Sequence, residues 1–350
     1  MDQAAALLEH LRVALPEPGL QYAEPPAPIS GGYDTKIFGF RLSGAPAPFA
    51  SPLILRVLGT QYPAARALSE RATQNAVAGL GYPAPRVLLA SADPAILGGA
   101  FLVMERLYGR PLLEARRIGI ASVLAEMQLR LHALDAEVLL RALDREGPPI
   151  SRETATFDGH LARLERRIAH GGLHGLEPAM RWLLEHRPLD GPERVICHGD
   201  LHPQNILMAD GRVTGVLDWP NVVVADREFD VAATCAIRFV PAAVMGVPRA
   251  LRALVTIAAH VLAARHVSAY RRGHALDPAR LAYHEALACM RGFLRTAEAR
   301  AAGGPLNPLD ASVFGDRLGA RFARITGVVP ILPAGPQETT TARIGPLTGS

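Results

Sequence analysis

The sequence predicts an α+β, bilobal chain, with a small β-rich N-terminal lobe and a larger, mainly helical C-terminal lobe. Three observations carry this. The first 107 residues hold short apolar runs rich in β-branched residues, with one inserted helical pattern; Tyr108-Gly109-Arg110-Pro111 breaks that pattern; beyond it, apolar residues recur at helical spacing except across 194–219. A chain of 350 residues is also too long for one small core. The expected division is a β-rich N-terminal lobe over 1–107, a helical C-terminal lobe over 108–329 and a flexible tail over 330–350.

In chain order, Leu7, Leu8, Leu11 and Leu15 give residues 2–15 one apolar helical face, ended by Pro16 and Pro18. Residues 27–43 read as two short strands around a glycine turn, and PLILRVLG (52–59) as a third. Residues 63–79 form an amphipathic helix stopped by Gly79 and Gly81; RVLLAS (86–91) and AFLVMERL (100–107) add two strands. Helices are expected at 118–136, 155–170, 176–187, 228–239, 249–272 and 278–301. ERVICHGD begins as a strand and stops at Gly199, and NILMADGRVTGVLDW gives two strand halves around Asp210-Gly211. An Asp-Gly pair suits a tight hairpin in which both central residues take positive φ. That register sets Asn205 across from Val216 and Asp218 across from Pro203. From Pro330 on, Pro, Gly and Thr dominate, and the apolar surface is too small to offset the entropy of ordering.

Apolar residues at 49% and charged residues at 20% place the chain in the soluble globular class. No run approaches the ~18 uninterrupted apolar residues of a membrane span, and the first residues lack the basic start and long apolar run of a signal peptide. Cys197, Cys235 and Cys289 are too far apart for a disulfide framework or a metal knuckle, so reduced thiols in a cytoplasmic protein are expected. The net charge is +4, aromatic residues are 5%, and the arginines are spread along the chain, which argues against nucleic acid as a partner. Of 37 basic residues only Lys36 is lysine.

The chemistry concentrates in HGDLHPQNIL (198–207) and GVLDW (215–219). The hairpin brings Asn205 and Asp218 to its open end, with Asp200 on the loop leading in. Oxygen donors of Asp and Asn suit a hard cation such as Mg²⁺, and a further Asp held off the metal can accept a hydroxyl proton. A hydroxyl, a metal and a triphosphate make phosphoryl transfer the natural reaction class. His198 and His202 are four apart, as in helical zinc sites, but Gly199 and Pro203 argue against a helix there. Asp218 ends an apolar run, where an unpaired carboxylate is costly.

HGDLHPQNIL, then VTGVLDW, then ADREFDVA resembles the aminoglycoside phosphotransferase and choline kinase group, small-molecule kinases with a protein-kinase-like fold, over about residues 27–300. The resemblance implies that Asp200 is the catalytic aspartate that orients or deprotonates the acceptor hydroxyl, and that Asn205 and Asp218 are magnesium ligands. It makes His198 a buried brace of the catalytic loop and Asp230 the aspartate that secures that loop's backbone. Asp226 and Glu228 read equally well as an N-cap and a first-turn acid of the helix that follows.

The resemblance also implies nucleotide contacts: ATP or GTP is the co-substrate, and Gly31 and Gly32, in SGGYDTKIF, are the turn over the phosphates. Arg56 stands where the group usually has a phosphate-binding lysine, with Glu70 as its carboxylate partner and Lys36 as the rival phosphate ligand. Met104 flanks the base, and the backbone groups of Glu105 and Leu107 pair with its edge. Only eleven residues separate Asp218 from Asp230, too few for the activation segment of a protein kinase, so the acceptor is a small hydroxylated molecule. Residues 241–300 carry nine arginines against Asp277, Glu285 and Glu298, which leans away from a strongly cationic acceptor. Antibiotic resistance and ordinary metabolism both remain open as roles. The alternative to a Mg²⁺-dependent kinase is a nucleotide-binding pseudokinase or regulatory module without turnover.

Overall fold

The computed structural model describes residues 3–15, 17–29, 35–114, 119–189, 193–240, 242, 246–302 and 312–333. Helix α1 (Gln3–Ala14) precedes strands β1 (Gln21–Pro28), β2 (Thr35–Ser43) and β3 (Leu53–Leu58), helix α2 (Arg66–Gly79), strand β4 (Val87–Ser91), the short helix α3 (Pro94–Leu97) and strand β5 (Phe101–Glu105). The five strands form one antiparallel sheet in the order β1-β2-β3-β5-β4. Alternation along the strands splits the sheet into two faces. Leu53, Leu55, Val57, Phe101 and Val103 pack with Leu7 and Leu11 of α1. Leu102 and Met104, on the other face, pack with Ala67 of α2.

The second half is mainly helical. A two-residue strand β6 (Arg110–Pro111) leads to α4 (Ile120–His132), α5 (Ala136–Glu146), α6 (Phe157–His170) and α7 (Glu177–Glu185). Then come β7 (Val195–Cys197), β8 (Ile206–Ala209), β9 (Arg212–Val216) and β10 (Val223–Ala225). Helices α8 (Arg227–Cys235), α9 (Arg252–Arg271), α10 (Pro278–Ala301) and α11 (Ser312–Thr326) complete the chain. β7 pairs with β10, and β6-β8-β9 form a second small sheet. One core joins α6, α7, α10 and α11 beneath β7 and β10. Another crosses residue 107: Ala72, Ala76 and Val77 of α2 meet Leu124 and Met127 of α4, Ile206 of β8 and Trp219. The segment 198–219 is therefore anchored on both halves of the chain.

Four expectations are revised. The helix expected at 118–136 stops at His132, and a further helix, α5, follows it, started by Asp135, which accepts the Glu137 N–H at 2.9 Å. Helix α11 lies beyond the last helix expected. In the β8–β9 hairpin Asp210 and Gly211 take φ of 50° and 74°, as a two-residue turn of this type demands. Beyond the turn the register slips: Met208 faces Val213 but Leu207 faces Gly215, so Thr214 is an extra residue in β9. Asn205 consequently meets Leu217, whose N–H donates to the Asn205 carbonyl at 2.8 Å, and not Val216. Finally, the expected tail starts too early. Pro330 is buried and the Ile331 N–H donates to Gly175 C=O at 3.0 Å, while 334–350 lie outside the described residues.

Among the described residues, one helix, Arg249–Arg271, is long and apolar enough to cross a membrane by length and composition, with a mean hydropathy of 1.3. Here its Ala263, Ala269 and Tyr270 are buried in a core with Ala125 of α4, while Leu254, Ile257 and Val261 are exposed.

Candidate active site

The loop after β7 is held from three sides. Gly199 sits at φ +76°, and a Cβ there would lie 2.3 Å from the Asn221 carbonyl oxygen, so only glycine fits. Its N–H donates to Asp230 Oδ1 at 2.7 Å, and its carbonyl accepts from Arg291 Nη1 at 3.2 Å. Asp230 is fully buried on α8; its Oδ2 lies 3.2 Å from His132 Nε2, and His132 Nδ1 lies 2.6 Å from the Tyr270 hydroxyl. Burial raises the Asp230 pKa, but the hydrogen bonds from His132 and from the Gly199 N–H outweigh it, holding the carboxyl below its usual range. It is an ionised anchor for the loop backbone.

His198 is buried too, and burial pushes its pKa down against the pull of Asp230, Asp200 and Asp218. The neutral ring uses both nitrogens: Nε2–H donates to Leu217 C=O at 3.0 Å and Nδ1 accepts the Asp200 N–H at 3.3 Å. It thereby ties the loop to the end of β9, with no lone pair left for a metal or a proton. Trp219 packs on it at 4.6 Å between ring centroids.

Two oxygen donors stand out because their surroundings are satisfied and they are not. The half-buried Asp200 carboxylate forms no hydrogen bond among the described residues. Asn205 donates Nδ2 to the Asp200 carbonyl at 3.0 Å, which leaves Oδ1 unengaged. Asp218 lies next to the cross-strand neighbour of Asn205 and holds φ at +68°, an unusual conformation for a residue with a side chain. Its Oδ1 accepts from Arg56 Nη2 at 3.1 Å.

Arg56 forks. Its Nη1 donates to Glu70 Oε2 at 2.9 Å, and Glu70, only 2% exposed, also takes Arg66 Nε at 2.8 Å. The ladder sets Arg56 and Lys36 on different faces: Ile37 pairs with Arg56 and Lys36 with Val57. Opposed residues share a face. Lys36 thus lies on the face packed on α1, and Arg56 on the α2 face that looks toward Asp218.

Met104 is buried on that same α2 face, paired with Ile54. The Glu105 N–H is committed to Arg86 C=O at 3.0 Å, whereas the Leu107 N–H has no partner among the described residues. The bulged Thr214 donates its hydroxyl to Tyr108 C=O at 2.5 Å, seating the connection between the halves on the hairpin that carries Asn205 and Asp218. Gly31 and Gly32 lie outside the described residues.

Asp226 occupies the N-cap position of α8 but makes no side-chain cap; its carboxylate is held by Arg280 at 2.8 Å and Arg194 at 3.4 Å. Glu228 accepts the Asp277 N–H at 2.9 Å. Sequence reading missed His132, Tyr270 and Arg291. Arg291 is half-buried, stacks over Phe229 and meets the loop 92 positions away, and nothing local marks it.

Comparison with known proteins adds the following. A family model described as "Phosphotransferase enzyme family" matches residues 27–276. An aminoglycoside 3'-phosphotransferase of Streptomyces fradiae is 34% identical over 149 residues, 38% of this chain and 51% of that protein. Acyl-CoA dehydrogenase family member 11 of Mus musculus is 29% identical over 145 residues, 38% of this chain and 18% of that protein. The matches thus span about half, or less, of these curated relatives. The crystal structure of an aminoglycoside-3'-phosphotransferase of type VIII has a TM-score of 0.52 at 24% identity, covering 81% of this chain and 98% of that chain, a likeness of fold.

Proposed function

The chain belongs to the phosphotransferase enzyme family, and on that premise we propose that it is a small-molecule O-kinase, moving the γ-phosphoryl group of ATP or GTP to a hydroxyl of a small acceptor. The observation that carries the reading is the unengaged Asp200 carboxylate beside the free Asn205 Oδ1, in a loop whose other polar groups are tied down. In this reading Asp200 aligns the acceptor hydroxyl and takes its proton as the new O–P bond forms. The bond from phosphorus to the leaving diphosphate oxygen breaks on the opposite side. Arg56, steadied by Glu70, receives phosphate oxygens. Asn205 Oδ1 and the Asp218 carboxylate, an oxygen-only pair, fit Mg²⁺ and would hold it. When bound, the metal neutralises charge on the phosphates. His198 and Asp230 keep the loop in place.

The Leu107 N–H is a free donor for the edge of a base, and the buried Met104 forms an apolar wall. The test is Asp200→Ala. Turnover, read as acceptor-dependent ADP or GDP release over a panel of hydroxylated compounds, should fall by at least about 10³-fold, the weight of a missing positioned base plus lost alignment. Mg²⁺-nucleotide affinity should stay within about twofold. Undiminished turnover in that variant removes Asp200 from the role, and nucleotide binding without turnover in the wild type supports the pseudokinase instead.

A further inference from the structure

Helix α9 turns one face inward and leaves an apolar face in solvent. Ala263, His266, Ala269 and Tyr270 are buried. On the opposite side Leu254, Ile257, Val261 and Ala264 follow one another at spacings of three and four, which makes one stripe about 15 Å long. Leu254 is 64% exposed, Ile257 61% and Val261 45%, and Ala253 and Ala258 beside them are exposed too. Only 11% of the most apolar stretch of this helix is buried, whereas a helix that is apolar all round is ordinarily covered on every side. A contiguous apolar patch of this kind marks a contact surface.

The charge around the stripe has one sign. No Asp or Glu occurs between Asp230 and Asp277. Arg249, Arg252, Arg265, Arg271 and Arg272 are exposed, and none of them forms an ion pair among the described residues. With about 3.6 residues per turn, Arg265 borders the stripe on one side and His260 on the other, while Arg252 stands at its start. The α4 carboxylate of Glu126 lines an open cavity together with Arg130 and Arg272, so two cations outweigh it there. The stripe holds no aromatic residue and no methionine, the side chains enriched at the centres of protein interfaces. A second copy laid on it would bring arginine against arginine. The same arginines, and an inner face committed to Ala125 of α4, keep the helix from spanning a bilayer. An anionic lipid surface satisfies both the aliphatic stripe and its basic border.

We propose that α9 attaches the protein to anionic membranes by lying in the plane of the bilayer surface. Leu254, Ile257 and Val261 enter the boundary between headgroups and acyl chains, and Arg252 and Arg265 meet lipid phosphates. The buried face stays packed on α4, so attachment requires no opening of the fold. A single short stripe makes the attachment reversible. Nothing in this inference depends on the reaction assigned to Asp200.

The test is co-sedimentation of the full chain with vesicles of phosphatidylcholine alone and of phosphatidylcholine with an equal part of phosphatidylglycerol. Partitioning onto the anionic vesicles should exceed that onto the neutral ones by at least about tenfold in about 0.1 M salt, and should fall by at least about fivefold in about 0.5 M salt. Ile257→Asp should weaken it by at least about tenfold, and Arg265→Gln by about fivefold. Leu254→Gln, a change without charge at a 64% exposed position, should weaken it too, and thermal melting checks that each variant is folded. Absence of association with anionic vesicles, equal association with both kinds, or unchanged association in Ile257→Asp and Leu254→Gln overturns the proposal. Light scattering of the lipid-free chain reads the rival occupant: a dimer that Ile257→Asp splits assigns the stripe to a second copy and overturns the proposal as well.

Discussion

Replacing Gly199 with alanine tests whether the loop is held by geometry. Two costs can be worked out. Alanine at φ +76° loses about 1–2 kcal/mol to left-handed backbone strain. The new Cβ, 2.3 Å from the Asn221 oxygen, must retreat by about 1 Å to reach the 3.4 Å of ordinary contact, and the obstacle is backbone; overpacking of this kind costs about 1–3 kcal/mol. A total of about 3 kcal/mol, spread over 350 residues at ~2.1 cal/mol/K each, lowers Tm by about 4 °C if the chain melts as one unit. Function should suffer more. Asp230 and Arg291 clamp both backbone groups of Gly199, so the displacement passes to Asp200. A shift near 1 Å at a reacting group costs on the order of 10²-fold in kcat. Arg56 and the connection at Leu107 lie on other elements, so ADP affinity should hold within about twofold. Melting curves, ADP calorimetry and steady-state kinetics read the three quantities. A variant that melts within about 1 °C of wild type and keeps full kcat would refute the strained-loop argument.

Arg56→Ala should weaken nucleotide binding by about 10–100-fold, the worth of charge-assisted bonds to phosphate, and Arg56→Lys should recover part of that. Unchanged affinity in the alanine variant would pass the phosphate role to another cation, with Lys36 examined first. His266 gives a pH signature: burial pushes it from 6.5 to about 4, so between those values the unfolded chain binds the proton more readily and folding stability falls as pH falls. The whole gap corresponds to about 3 kcal/mol. Urea midpoints at pH 7.5 and 4.5 should differ less in His266→Leu than in wild type, and parallel pH profiles would remove His266 from acid lability.

What could be read from the sequence was local. The Asp-Gly turn, the order of strands and helices, and the grouping of Asp200, Asn205 and Asp218 follow from spacing and turn chemistry. Arg56 stands out as a cation inside an apolar strand, whereas Glu70, 14 positions on, was indicated only by the family resemblance. The bulge at Thr214 was not legible, because its cause is a hydroxyl bond to Tyr108, 106 positions away. The His132–Asp230 contact spans 98 positions and His132–Tyr270 spans 138. Such partners are chosen by tertiary packing, and each residue alone looks like any buried polar group. Helix α5 was missed for a different reason: Leu134-Asp135 reads as the continuation of α4 unless Asp135 is recognised as a cap.

Arginine at position 56, where the family resemblance calls for lysine, is explained by what it touches. A lysine offers one nitrogen, whereas the guanidinium offers two separate terminal nitrogens in a fixed plane. One of these engages Glu70 on α2 and the other Asp218 at the hairpin mouth, two carboxylates on opposite halves of the chain. Asp218 has a strained backbone that nothing in its own sequence stabilises, and the ion pair with a side chain only 12% exposed offsets part of that cost. The fork also leaves three N–H donors of Arg56 for a ligand. Under the proposed reaction Asp218 would exchange its Arg56 bond for the Mg²⁺ it would hold, and Arg56 would receive phosphate oxygens. The Arg56–Glu70 bond need not change in that exchange, because Glu70 is buried and shared with Arg66. Under that reading arginine keeps the positive charge a lysine would supply, and its two terminal nitrogens join Glu70 of α2 to Asp218 beside the hairpin.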